Sequence, residues 1–327
     1  MIRARITGTG SALPEKVLSN FDLEKMVDTT DEWIVARTGI SQRRIASEGE
    51  YTSTFATLAA QRALEAAGVS ADEIDLIILG TLTPDFPFPA TACLVQQNLG
   101  AKNAFCFDLS AACSGFVFAL ATAEKYLLSG THKKALVIGA EVLSRIIDWK
   151  DRNTCLLFGD GAGAVVLEAV EGGDNGLLST HMYSDGNFWE ILYQTGSGNR
   201  NPATQANLDA GLVYLTMQGN EVFKYAVRAM AEVSLEALEK NGITGEDLTL
   251  FIAHQANQRI IDAVGKRLNL TGERVFVNLD RYGNTSAASI PIALDEAVRG
   301  GRVKEGDLVL LSAFGGGLTW GSALLRW

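Results

Sequence analysis

The sequence predicts an α/β fold made of two similar halves that share one core. Short apolar runs alternate with longer amphipathic stretches from end to end, the pattern of buried strands and covering helices. The order of those segments in the first half recurs in the second. No Pro/Ser-rich or low-complexity tract divides the chain, so the halves, 1–170 and 171–327, are expected to form one integrated unit. With 327 residues, 47% of them hydrophobic and 20% charged, the chain is long enough to bury a sizeable core.

Taken in order, the strand-like runs are 76–80, 104–109, 135–139, 164–168, 248–253, 275–279 and 308–313. Their nearly continuous apolar character predicts largely parallel strands buried on both faces. Helices are predicted over 53–67, 113–129, 220–241, 257–268 and 286–299, and a further one in PATACLVQQNLG. The segment 195–212, rich in Gly, Asn and Ala, reads as a long surface loop.

The repeat is specific. An Asp-led strand, a helix, a second strand, a small-residue turn, a helix ending in glycine and a third strand occur once around Cys113 and again around Asn284. Seventeen residues separate Cys113 from Gly130, and seventeen separate Asn284 from Gly301. Packed about a pseudo-twofold junction, equivalent turns face one another, so Cys113 and Asn284 are expected to be neighbours.

Charge and cysteine usage narrow the chemistry. Twenty-eight Lys+Arg against 38 Asp+Glu give a net charge of −10, which argues against nucleic acid or an anionic membrane as the main partner unless a local basic patch intervenes. No apolar run approaches a membrane span, and the start, MIRARITGTG, lacks the apolar stretch of a signal peptide, so a cytoplasmic location is expected. Cys93, Cys106, Cys113 and Cys155 form no metal-ligand spacing and are expected to be free thiols, with no metal bound. Cys93, Cys106 and Cys155 sit in apolar contexts that suit packing. Cys113, in DLSAACSGFVFAL, stands where a strand ends and a helix begins, and the helix amides there favour a thiolate. Of three histidines, His132 and His181 read as surface or structural, whereas His254 ends an apolar strand, the place where α/β folds build sites. FGDGAGA runs into a strand rather than a helix, which excludes a dinucleotide fingerprint and predicts close backbone packing.

Seven stretches resemble one family throughout: DTTDEWIVARTGISQRRIA, AACSGF, FGDGAGAVVL, MQGNEVFK, HQANQRII, RYGNTSAAS and AFGGGLTWGSALLRW, together spanning residues 28 to 327. The chain resembles the β-ketoacyl-acyl-carrier-protein synthases III, the condensing enzymes that initiate type II fatty acid synthesis. That resemblance implies a thiolase fold, duplicated α/β halves forming a layered αβαβα core, and a homodimer. Against the family pattern, the stretch between Asp185 and Met217 is several residues longer.

The resemblance also implies roles. Cys113 would attack an acyl-CoA, acetyl-CoA by preference, with the amides of Cys113 and Gly316 holding the oxyanion. His254 and Asn284 would donate to the thioester oxygen of malonyl-acyl carrier protein, stabilising the enolate left by loss of CO₂, with Phe314 as an aromatic gate beside the malonyl group. Trp33 and Arg152 would sandwich the CoA adenine, Arg37 would reach its phosphates, and Gly219, Asn220, Ala256 and Asn257 would line the pantetheine tunnel. Lys224, Arg228, Arg259 and Lys266 would meet the acidic carrier protein. Phe88 of the partner subunit would close the acyl pocket. CoA thioester is then a substrate, and no cofactor is implied. The alternatives are a related Cys–His–Asn enzyme with a longer or branched primer, a cysteine hydrolase and a non-catalytic acyl-CoA-binding protein.

Overall fold

A computed structural model describes residues 2–327. Two sheets form the frame. The first orders its strands Ile2–Ala12, Gly161–Glu171, Lys134–Glu141, Leu76–Gly80 and Phe105–Leu109; the second orders Leu250–Ala253, Leu308–Gly315, Thr319–Arg326 and Gly176–Ser184.

Alternation along each strand explains the layering. Leu76 and Ile78 face inward and meet Phe116, Leu120, Ile290 and Leu294 from the helices Gly115–Leu128 and Ser289–Arg299, which lie between the sheets. Ile77 and Leu79 face the other way, onto Ala56, Ala59, Ala60 and Ala63 of helix Thr52–Ala67. On the far side, Phe251 and Leu310 pack against Met230 and Val264 from helices Gly219–Lys240 and Gln258–Arg267. The result is the αβαβα sandwich, and the central strands Leu76–Gly80 and Leu250–Ala253 are buried on both faces and apolar at every position.

The expectation of largely parallel strands holds for the runs at 76–80, 104–109, 135–139, 248–253 and 308–313 and fails for 164–168, so the sheets as a whole are mixed. Only Lys134–Glu141, Leu76–Gly80 and Phe105–Leu109 run parallel in the first sheet, and only Leu250–Ala253 with Leu308–Gly315 in the second. Ile2–Ala12, Gly161–Glu171, Thr319–Arg326 and Gly176–Ser184 all pair antiparallel, the third as a hairpin across the glycine turn after Gly315. Continuous apolar runs report burial on both faces, and antiparallel strands inside a five-layer core are buried in the same way.

The strand expected over 275–279 is reduced to one parallel bridge between Val275 and Phe251. Buried Gln255 takes the ladder's place: its side chain donates to the Phe276 carbonyl at 3.2 Å and accepts from the Asn278 N–H at 3.0 Å. Leu279–Tyr282 then turns helical.

The two turns at the sheet junction are copies in shape, but their register differs from the one expected. Ala112 and Ser286 both take positive φ, at 46° and 49°, and each opens a short 3-10 turn, Ala112–Ser114 or Ser286–Ala288, that runs into a central helix. Shape therefore matches Cys113 with Ala287 and not with Asn284. Equal spacing to Gly130 and Gly301 arises because the second helix is shorter, 11 residues against 14.

The turns press on the sheet without side chains between. A Cβ at Gly139 would sit 2.3 Å from the Ala287 carbonyl oxygen. Gly139→Ala is expected to cost about 1–3 kcal/mol or more, read as a fall in urea midpoint, because backbone on both sides must shift. An unchanged midpoint would show that the junction is not close-packed.

Candidate active site

Cys113, His254 and Asn284 line one cavity of about 460 Å³. Each is placed by a different element. Cys113 lies at the start of a central helix, 7% exposed, with strand Leu308–Gly315 ending against it: a Cβ on Gly315 would stand 2.6 Å from the Cys113 amide nitrogen. His254 follows strand Leu250–Ala253 and extends its ladder by one hydrogen bond, N–H to the Ser312 carbonyl at 2.8 Å. Asn284 is fixed through its backbone, donating to Leu157 and accepting from Gly159.

The hydrogen bonds decide which atoms remain open to a ligand. Asn284 Oδ1 accepts from the Ser286 N–H at 2.8 Å, so its Nδ2 amine is the free group. Ser289 Oγ accepts from the Gln255 N–H at 3.3 Å and lies 2.7 Å from His254 Nδ1; with the hydroxyl proton directed to Nδ1, the imidazole carries its own proton on Nε2, toward the cavity. Burial holds the His254 pKa down at about 3, so the ring is a neutral N–H donor. Burial also pushes the Cys113 thiol up to about 12, opposed by the nearby Ser286 hydroxyl. Burial thus works against the thiolate that the helix start was expected to favour.

The cavity runs outward past Phe314, Gly316, Gly219, Asn220, Ala256 and Asn257 to Trp33, Arg37, Arg152 and Arg259. Asn257 joins the two walls of this mouth. Its side chain caps helix Gln258–Arg267 by accepting from the Arg259 N–H, and it donates to the Arg37 carbonyl at 3.1 Å. Trp33 is 38% exposed, with the Arg152 guanidinium 4.4 Å from its ring centroid and Arg37 at 5.3 Å. Lys224, Arg228 and Lys266 are exposed and lie outside the cavity lining; Lys224 and Arg228 both flank Tyr225, and Arg259 stacks on Phe223. Phe88 stands apart and is 84% exposed.

Several functional positions escaped the sequence reading. Leu192, Tyr193, Leu215 and Met217 wall the cavity from a two-stranded ribbon, Leu192–Gln194 with Leu215–Met217, that flanks the expected loop. That loop itself contains a short helix, Gln205–Asp209. Ribbons of three residues leave too little periodicity to read. Ser286 and Ser289 lay inside RYGNTSAAS, and the spacing of Ser289 five residues after Asn284 was the available signal. The other thiols are free: Cys155 is buried and Cys93 lies 3.5 Å from Cys106, sulfur to sulfur. The FGDGAGA glycines do serve close packing, since a Cβ on Gly159 would meet the Tyr282 carbonyl at 2.3 Å. Among the described residues, no helix is long and apolar enough to cross a membrane.

Five layers with two copied turns meeting at their centre are the thiolase fold, and a buried cysteine facing two neutral N–H donors there places the chain among the acyl-transferring condensing enzymes. Comparison with known proteins gives the particular family. Models described as 3-oxoacyl-[acyl-carrier-protein (ACP)] synthase III and its C-terminal region match residues 107–186 and 238–327. A β-ketoacyl-[acyl-carrier-protein] synthase III of Caldanaerobacter subterraneus subsp. tengcongensis is 55% identical, covering 100% of this chain and 98% of the relative. The crystal structure of 3-oxoacyl-[acyl-carrier-protein] synthase III from Aquifex aeolicus VF5 superposes with a TM-score of 0.92 at 54% identity, covering 99% and 100% of the two chains. The corresponding Pseudomonas aeruginosa PAO1 structure gives 0.91 at 42% identity over 99% and 98%. The chain belongs to the β-ketoacyl-[acyl-carrier-protein] synthase III family.

Proposed function

We propose that this enzyme joins an acyl group from acyl-CoA, acetyl-CoA first, to malonyl-acyl carrier protein, releasing CO₂ and CoA and yielding a 3-ketoacyl-carrier protein. One observation carries the reading: one thiol and two neutral N–H donors, with the unpaired Ser286 hydroxyl beside them, line one cavity. A thiol suits acyl transfer. Two uncharged donors suit an enolate oxygen, whereas a hydrolase needs a base to activate water.

The thiol of Cys113 attacks the thioester, the amides of Cys113 and Gly316 hold the oxyanion, and CoA leaves. Malonyl-carrier protein follows. His254 Nε2 and Asn284 Nδ2 donate to its thioester oxygen, decarboxylation leaves an enolate, and the carbanion attacks the acyl-cysteine. Phe314, 4% exposed, keeps water from that carbanion.

Trp33 and Arg152 take the adenine between them. Since the guanidinium already stacks on the indole at 4.4 Å, Arg152 swings aside to admit the base. Trp33→Ala is expected to raise KM for acyl-CoA about 10-fold with kcat within about twofold, the loss of one stacking surface; an unchanged KM would remove Trp33 from the site. Arg37 reaches the phosphates, and Gly219, Asn220, Ala256 and Asn257 pass the pantetheine arm. Lys224, Arg228, Arg259 and Lys266 receive the carrier protein, a local positive face on a chain of net charge −10.

A homodimer is supported by the edge strand Phe105–Leu109, half-exposed along its length with Phe105 40% exposed, and by Phe88, which projects from its own subunit to close a partner's pocket. The enzyme works in the cytoplasm and takes no cofactor. The test is incubation with acetyl-, isobutyryl- or octanoyl-CoA and malonyl-carrier protein, with mass spectrometry of Cys113. An acyl adduct and consumption of malonyl groups are expected; free acid released without malonyl consumption would make the protein a hydrolase.

A further inference from the structure

Behind the nucleophile lies a buried acid that the reaction scheme leaves unused. Glu141 ends strand Lys134–Glu141 and is 0% exposed. Its two oxygens are used unequally. Oε2 accepts from Thr81 Oγ1 at 3.1 Å, the Leu82 and Thr83 amides at 3.1 Å each, and Thr83 Oγ1 at 2.5 Å. Oε1 receives a single long bond, from the Leu82 amide at 3.3 Å. One side of the carboxylate is therefore open.

Ser286 stands between this acid and the nucleophile. The turn Ser286–Ala288 packs against both the Cys113 turn and strand Lys134–Glu141; the Ser286 hydroxyl is close enough to influence the Cys113 thiol and the Glu141 carboxylate, and it is a buried oxygen with no well-formed hydrogen bond. The residue is 1% exposed, lines the substrate cavity, and is held at a positive φ of 49°. Its N–H is already committed to Asn284 Oδ1. A buried hydroxyl left unpaired costs about 1–3 kcal/mol, and backbone strain at a non-glycine residue marks functional positions. Both fall on the atom that bridges an acid and a thiol.

We propose that Ser286 Oγ relays the Cys113 proton to Glu141 as the sulfur attacks acyl-CoA, and that Glu141 returns it when condensation releases the sulfur. The inference rests on Cys113 being the nucleophile. The atoms balance over the cycle. In acylation the S–H bond breaks and the S–C bond forms; Ser286 gives its hydroxyl proton to the carboxylate, takes the thiol's, and CoA departs as a thiolate. In condensation the carbanion displaces sulfur, and the cysteine thiolate recovers the stored proton by the reverse path. No proton need cross the occupied cavity. Burial raises Glu141 to about 7, well below the thiol, so the proton stays on sulfur at rest and moves only as attack makes the S–H acidic. Glu141 acts through Ser286 as a proton store, and Ser286 touches the reacting atom.

The experiment separates this from a structural role. Rapid-quench acylation by acetyl-CoA and primer-independent decarboxylation of malonyl-carrier protein are measured for Ser286→Ala and Glu141→Gln, with urea midpoints for each. Acylation is expected to fall about 100-fold relative to decarboxylation in both variants, the lower range for general acid–base help. Acylation within about threefold of the unmodified enzyme, or an equal fall in both half-reactions, would overturn the relay. Should Glu141→Gln unfold, Ser286→Ala decides, since it deletes a hydroxyl that holds nothing in the fold. Lack of any adduct on Cys113 in the unmodified enzyme would instead remove the nucleophile itself, and both readings with it.

Discussion

Cys113→Ala is expected to abolish acyl transfer from CoA and to lower condensation on the order of 10⁴-fold or more, the scale of losing a covalent nucleophile. Nothing else at the inner end of the cavity can replace it. His254 is neutral with its free nitrogen protonated, Asn284 presents an amine, and Ser286 is a hydroxyl with no base beyond Glu141. The remaining thiols lie elsewhere: Cys93 and Cys106 against each other and Cys155 in a separate apolar cluster with Leu23 and Ile34. The fold should survive, because alanine fits a turn that Ala111 and Ala112 already lead into and removes only one buried sulfur. Intact mass after exposure to acyl-CoA should show no adduct, while malonyl-carrier protein is still slowly decarboxylated. An adduct mapped to another cysteine, or condensation at the original rate, would end the assignment of Cys113.

How far the sequence went depends on what each residue needed. The layered architecture was legible because the central strands must be apolar on both faces, and LIIL and LVIGA say so at every position. Strand direction was not, since Gly161–Glu171 and Lys134–Glu141 are equally apolar and differ only in the connection between them. The catalytic trio was legible from its settings: small residues around Cys113, an apolar strand before His254, and a glycine before Asn284. What the trio does to its own protons was hidden. The thiol's protonation follows from burial, and the tautomer of His254 follows from a serine thirty-five residues away, neither of which has a local pattern. Gln255 shows the same limit within the fold, because a side chain that replaces a strand's ladder looks from the sequence like any polar residue at a strand end.

Removal of the two donors should split the reaction in the opposite sense from loss of the thiol. His254→Ala and Asn284→Ala are each expected to leave acylation of Cys113 within a few-fold while lowering condensation about 10²–10³-fold, the usual loss for one donor to a developing oxyanion. The half-reactions separate because the oxyanion of acylation is held by backbone amides, and the two side chains serve the enolate alone. If both hold the same oxygen, the double variant should lose less than the product of the single losses, since the second donor matters most while the first keeps the oxygen in place. Alanine also empties space, so the sharper substitution is Asn284→Asp. Its Oδ1 keeps the bond from the Ser286 N–H, and the turn keeps its shape, but the free amine becomes an oxygen. A carboxylate there cannot donate and repels the enolate, so Asn284→Asp should condense more slowly than Asn284→Ala. Were the order reversed, the amide would matter for its volume, and the donor role would belong to His254 alone.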